Sequence, residues 1–182
     1  MNTLNTIKEL FESKGATRYG ENVTQLEHAL QTAQLAIDDD YCDEFVIACF
    51  LHDFGHLLYA EGLAARGIDG EHEEVGANWL AEYFPTTVTE PIRLHVAAKR
   101  YLCAIDDSYY DTLSKASKHS LKLQDGIYNT EEVKEFETKP EYQKAVQLRK
   151  YDDCSKVVGL KTPSLEDMLS IADKVLSSNQ QH

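Results

Sequence analysis

Seven consecutive apolar residues, Phe45-Val46-Ile47-Ala48-Cys49-Phe50-Leu51, run directly into His52-Asp53. A segment that is apolar on every side has to be buried. At this length periodicity alone leaves a buried strand and a buried helix both open. The flanking residues repeat at helical spacing and no alternating pattern lies nearby, so Glu44–His52 is expected to be a central helix. An imidazole and a carboxylate at the end of such a segment are costly to bury unless they are paired or bound to a metal. The chain must therefore build its core around a polar pair.

The rest of the chain supplies helices to do so. Leu4, Ile7, Leu10 and Phe11 recur at three- and four-residue steps, and Gly15 stops that helix. A second helix is expected from about Thr24 to Ile37, with Leu26, Leu30, Ala33 and Ile37 on one face. Glu61–Gly70, rich in glycine, reads as a loop. Glu73–Phe84 is helical up to Pro85, and Pro91 suits the first turn of the next helix, which runs to about Cys103. Asp106–Gly126 reads as short helices and a loop. Glu131–Phe136 and Glu141–Tyr151 are helices split by Pro140. Ser164 and Asp167 form a capping-box pattern that opens a last helix through Leu176, after which Ser177–His182 frays. The expectation is an all-α, single-domain bundle over residues 1–182, long enough to bury about 70% of its unfolded surface.

Charge narrows the partners. The 31 acidic residues outnumber 18 basic ones, for a formal charge of −13. Nucleic acids and anionic membranes are bound through Lys and Arg, so neither is an expected partner. A small anionic ligand needs only a local cluster of donors. No apolar run approaches the ~18 residues of a membrane span, and Met1–Phe11 has no signal-peptide core. Cys42, Cys49, Cys103 and Cys154 form no CxxC pair, and Cys49 and Cys103 sit in apolar stretches. The expected setting is reducing and cytoplasmic.

Histidine carries the chemistry. Five of the seven histidines, His28, His52, His56, His72 and His95, lie on or beside four predicted helices, and Asp152 closes a later one after Arg149. A bundle converges such side chains on one central site. His28, His52, Asp53, His72, His95 and Asp152 exceed what one substrate-binding metal needs, and suit two metals bridged by Asp53. Such ligands accept iron, manganese or zinc alike. Gly55 is expected to let the backbone turn tightly after the His-Asp pair. Lys99, four residues after His95, and Arg149, three before Asp152, share helix faces with candidate ligands and are anion-binding candidates. His119 and His182 read as surface residues, and Tyr41, Tyr109 and Tyr110 as packing or loop aromatics.

The segments Gly20-Glu21-Asn22-Val23-Thr24-Gln25-Leu26-Glu27-His28, Leu51-His52-Asp53-Phe54-Gly55-His56, His72-Glu73-Glu74-Val75-Gly76-Ala77, His95-Val96-Ala97-Ala98-Lys99-Arg100-Tyr101-Leu102 and Leu148-Arg149-Lys150-Tyr151-Asp152-Asp153, together with Ser117, Ser120 and Gln124, resemble the HD-domain phosphonate oxygenases of the PhnZ and TmpB type. The resemblance covers about residues 5–175. It implies an HD-domain helical bundle around a mixed-valent pair of irons. His28, His52, Asp53 and Asp152 would hold one iron, and Asp53, His72 and His95 the other. It implies a dioxygenase of phosphonate catabolism, with O2 as co-substrate, that cleaves the C–P bond of a 1-hydroxy-2-amino- or 1-hydroxy-2-(trimethylammonio)ethylphosphonate. The products would be phosphate and glycine or glycine betaine. By the same resemblance Lys99, Arg149, His56, Ser117 and Ser120 bind the phosphonate, Glu21 lies near the amine, and Tyr19 walls the amine pocket or caps the open iron. The Ala65-Arg66-Gly67-Ile68-Asp69 loop resembles that of the trimethylammonio-type relatives. Asp125-Gly126 stands where the family usually shows two glycines, which predicts an altered loop after Ser120. The alternative is a dinuclear HD-domain phosphohydrolase, since paired metals also suit phosphoester hydrolysis.

Overall fold

The computed structural model describes residues 3–18, 22–58 and 71–179. They form eleven helices and, among the described residues, no strand: α1 (Thr3–Lys14), α2 (Gln25–Asp38), α3 (Asp43–Leu51), α4 (Phe54–Leu58), α5 (His72–Leu80), α6 (Thr86–Ile105), α7 (Tyr109–Thr112), α8 (Lys115–Leu123), α9 (Thr130–Glu137), α10 (Tyr142–Cys154) and α11 (Leu165–Asn179). No described helix is long and apolar enough to cross a membrane.

The apolar run is the axis of the molecule. Phe45 through Leu51 are all buried on α3, and α2, α6, α10 and α11 pack around it. Phe11 of α1 stacks on Phe50 with ring centroids 4.8 Å apart, and Phe54 meets Trp79 of α5 at 5.2 Å. Trp79 is a partly buried flank of this core. Cys49 and Cys103 are buried thiols.

Local sequence sets where the helices begin. Thr24 accepts from the Glu27 backbone N–H, while the Glu27 carboxylate accepts from the Thr24 N–H at 2.8 Å, a reciprocal capping box at the start of the helix that carries His28. Asn129 and Glu132 do the same for α9, and Ser164 with Asp167 for α11.

Four expectations change. Helix α5 stops at Leu80 rather than Phe84, because the residue before Pro85 is pushed out of helical backbone and Ala81–Phe84 wrap back onto Ala77 and Leu80. Helix α6 starts at Thr86 with Pro85 as its cap, so Pro91 lies inside it; the ring costs one internal hydrogen bond but is itself buried in the packing. Ser177–Asn179 continue α11 instead of fraying. Gly55 has no left-handed backbone, so it does not make a special turn. Its role is contact. A Cβ there would lie 1.9 Å from the His72 carbonyl oxygen, and a Cβ on Gly76 would lie 2.9 Å from the Gly55 nitrogen. The backbones of α4 and α5 touch at these two glycines. The expected Glu61–Gly70 loop lies outside the described residues.

Two outcomes follow from this packing. Gly55→Ala should cost at least about 2 kcal/mol, since the methyl meets backbone rather than a flexible side chain. Thr24→Ala should cost about 1 kcal/mol by loss of the cap. Denaturant unfolding at neutral pH measures both; equal losses at the two positions would contradict the backbone contact.

Candidate metal centre

His52 and Asp53 occupy the turn between α3 and α4, at the end of the buried run. Helix α2 brings His28 to them, α5 brings His72, α6 brings His95 and α10 brings Asp152. His52 and His95 are 0% and 1% exposed. Asp53 stands in the middle. Its Oδ1 lies 3.6 Å from His52 Nε2, 3.4 Å from His72 Nε2 and 3.7 Å from His95 Nε2, and its Oδ2 lies 3.7 Å from His28 Nε2. Asp152 Oδ1 is 3.3 Å from His28 Nε2. All six predicted ligands therefore converge. The arrangement also has two halves, His28–His52–Asp152 and Asp53–His56–His72, each able to hold a cation, so His56 lies within ligand reach although it was expected only as an anion-binding residue.

The tautomers explain why a cation belongs there. His28 Nδ1 faces the Ser155 carbonyl at 2.8 Å, His52 Nδ1 that of Cys49 at 2.8 Å, and His95 Nδ1 that of Ile92 at 2.7 Å. A carbonyl only accepts, so each Nδ1 carries a hydrogen, and in the neutral ring each Nε2 presents a lone pair. Yet His28 and His52 point Nε2 at each other across 3.1 Å, and His72 and His95 across 3.2 Å. Two lone pairs at that distance repel unless something positive lies between them or beside them. The donor set, imidazole and carboxylate, suits a transition metal. His72 differs from the other three: its Nδ1 lies 3.3 Å from the carboxylate of Glu73.

Protonation agrees with this for His52, His95 and the two carboxylates. Burial opposes ionisation of Asp53 and Asp152, but His52 beside Asp53 and Arg149 beside Asp152 hold both carboxyls well below the usual range. Burial, then the neighbouring His72 and His52, pushes His95 well below its ordinary value. Burial also lowers His52. His28 goes the other way: burial opposes its charge, but Asp152 and Asp53 outweigh it. Ionised carboxylates and neutral imidazoles are what metal binding requires.

The predicted anion-binding residues surround this cluster. His56 stacks on His72 with centroids 4.0 Å apart, and burial followed by the His72 charge lowers it to about 3. Lys99 is 2% exposed, and its Nζ donates to Ser120 Oγ at 2.7 Å and to Gln124 Oε1 at 2.5 Å. Ser117 Oγ accepts from Arg149 at 3.3 Å, from Ser114 at 3.2 Å and from Lys156 at 3.4 Å. Asp125 adopts φ +61° and Gly126 φ +74°. The turn after α8 is thus left-handed at both positions, a conformation that Asp tolerates. Tyr19, Glu21 and the Ala65-Arg66-Gly67-Ile68-Asp69 loop lie outside the described residues. His119 is exposed, as expected.

Arg149 does more than its spacing indicated. Its NH1 donates to Asp152 Oδ2 at 2.6 Å, and its other edge grips Asp153 and the Tyr109 hydroxyl, with Nε 3.2 Å from that hydroxyl. Tyr109 in turn donates to Asp153. One oxygen of Asp152 is thereby held by Arg149 while the other faces His28. Tyr109 packs as expected, against two hydrophobic clusters, and its hydroxyl is also a member of this network, of which Asp153 is the centre. The only sequence signal for either was the Asp152-Asp153 doublet, because residues 109 and 153 meet only through folding.

No family model matches the chain. Curated proteins do. A hydroxymethylphosphonate dioxygenase of Gimesia maris is 47% identical over 162 residues, covering 87% of this chain and 81% of that protein. A glycine-betaine-forming [1-hydroxy-2-(trimethylamino)ethyl]phosphonate dioxygenase of Leisingera caerulea is 41% identical over 165 residues, covering 89% of this chain and 84% of that protein. An uncharacterized protein of Acanthamoeba polyphaga mimivirus is 35% identical over 182 residues, covering 97% and 83% respectively.

Facing lone pairs predict a large effect of metal on stability. Saturating ferrous iron under argon, at about 100 times its dissociation constant, should stabilise the fold by roughly 2.7 kcal/mol. His52→Ala should abolish the gain and lower the bound metal per chain. Thermal melts and elemental analysis read the two effects; an unchanged melt with iron would contradict the assignment.

Proposed function

The chain belongs to the phosphonate dioxygenases, and on that premise we propose that it is a diiron oxidoreductase of the HD-domain type that uses O2 to break the C–P bond of a small 1-hydroxyphosphonate. His28, His52, Asp53 and Asp152 would hold one iron, and Asp53, His72 and His95 the other, in a mixed-valent Fe(II)/Fe(III) pair. The observation that carries this reading is the set of Nε2 lone pairs directed at Asp53, with a buried lysine one helical turn beyond His95. When bound, the irons supply what the side chains lack, a redox centre with open positions at which O2 is activated.

The chain's own residues bind and orient. Lys99 supplies positive charge to the phosphonate from inside the protein, where a charge-assisted hydrogen bond is strong. Ser120 and Gln124 hold its ammonium in place. Ser117 accepts from several donors at once, so its own hydrogen is available to an anion. His56, with its low pKa, stays neutral at neutral pH and offers a hydrogen bond rather than a charge. Arg149 keeps Asp152 oriented and brings its NH2 edge to Ser117. The substrate shares what the two named relatives' substrates share, a hydroxyl on the carbon bonded to phosphorus. The candidates are hydroxymethylphosphonate and the 2-amino and 2-trimethylammonio forms of 1-hydroxyethylphosphonate. The ammonium end would meet Glu21 or Tyr19.

Iron-loaded protein given each of the three substrates should release phosphate only when oxygen is present. Turnover of a phosphoester without oxygen, and of none of the three with it, would return the chain to the hydrolase alternative. Lys99→Ala should raise KM by about tenfold or more while leaving bound iron unchanged, the size expected for one charge-assisted bond. Loss of iron in that variant would place Lys99 with the ligands instead.

A further inference from the structure

Arg100 sits between Lys99 and Tyr101 in the His95–Leu102 stretch, and neither the metal cluster nor the anion site uses it. Neighbouring helix residues point about 100° apart. Lys99 faces inward, while Arg100 reaches the turn after α8. Its Nε donates to the Gly126 carbonyl at 2.8 Å, and its NH2 to the Asp125 carbonyl at 3.3 Å and to Glu132 Oε1 at 3.3 Å. Its guanidinium lies 4.3 Å over the Tyr128 ring, and Tyr128 N–H donates back to the Arg100 carbonyl at 3.5 Å. One side chain thus grips both left-handed residues of the turn. Immediately before them stands Gln124, buried, the C-cap of α8 and the acceptor of the Lys99 ammonium.

We propose that Arg100 is a positioning residue for the anion site. It latches the 124–128 turn onto α6 so that Gln124 stays against Lys99, and so sets how tightly Lys99 holds a phosphonate. A lysine ammonium is a point charge on a flexible stem and has no preferred direction of its own. Ser120 and Gln124 take two of its three donors and fix that direction. Ser120 is held by α8 itself, but Gln124 is where α8 ends and two left-handed residues follow. Without Arg100 that turn keeps few ties to α6, and Gln124 leaves Lys99. The inference rests on Lys99 binding the phosphonate.

The test is equilibrium binding to the iron-loaded protein under argon. The probe is whichever of the three hydroxyphosphonates the unmodified protein binds most tightly, and calorimetry gives the dissociation constant. Arg100→Ala and Gln124→Ala should each weaken binding about tenfold, the scale of one charge-assisted bond. The double variant should be within about twofold of either single one, because both act through the same contact. Arg100→Lys should not restore binding, since one ammonium cannot take both carbonyls in a fork. Arg100→Ala binding like the unmodified protein, with only a lowered melting temperature, would make Arg100 a structural staple and overturn the proposal. Fully additive losses would do the same. Lys99→Ala in the same series separates the two levels. If it binds normally, the reading of Lys99 fails and this inference with it; if it binds weakly while Arg100→Ala does not, only the inference fails.

Discussion

Three imidazoles with their Nδ1 hydrogens committed to backbone carbonyls, and a fourth beside them, turn their Nε2 atoms on one carboxylate. This is the constraint on which the rest of the molecule depends. The carbonyls of Cys49 and Ile92 lie three residues before His52 and His95 on their own helices, so those two tautomers are set locally, whereas that of His28 depends on Ser155 far along the chain. Left to themselves the facing nitrogens repel, and the protein holds them together with its packing. The centre is built ahead of its metal, at the cost of stability that metal returns.

The packing that does so is backbone against backbone. Gly55 and Gly76 let α4 and α5 touch, and that contact carries His72 to Asp53 and stacks His56 on His72. Any side chain at either glycine would separate the helices by the thickness of a methyl group. His72 moves with α5 while its stacked neighbour His56 sits on α4, so a spacing defect here shifts one against the other and both against Asp53.

Two buried cations flank the centre and do different work. Arg149 lies between two carboxylates, Asp152 and Asp153, and its planar fork suits that geometry. Its charge is spent largely inside the protein, holding Asp152 beside His28. The described partners of Lys99 are a serine and a glutamine, both neutral. In an otherwise acidic chain of net charge −13, both cations thus act through the field within a few ångströms and not through the net charge.

What the sequence determined by itself was the helical class, the buried axis and the residue types of the centre. The run Phe45–Leu51 has nowhere to go but the core, and a histidine and aspartate at its end cannot be buried without a partner. The cap at Ser164 was legible too, since a capping box is a contact between residues three apart. What only the tertiary structure decided was how side chains distant in sequence divide their bonds. Spacing placed Arg149 beside Asp152, but not the Tyr109 hydroxyl and Asp153 on its other edge. Gly55 looked like a turn residue until α5 was seen lying against it. Pro91 looked like a helix start, whereas Pro85 had already taken that place. The reason is the same in each case: periodicity and caps are local, reaching one or two turns, while a close helix approach or a shared guanidinium is fixed by chain segments far apart in sequence.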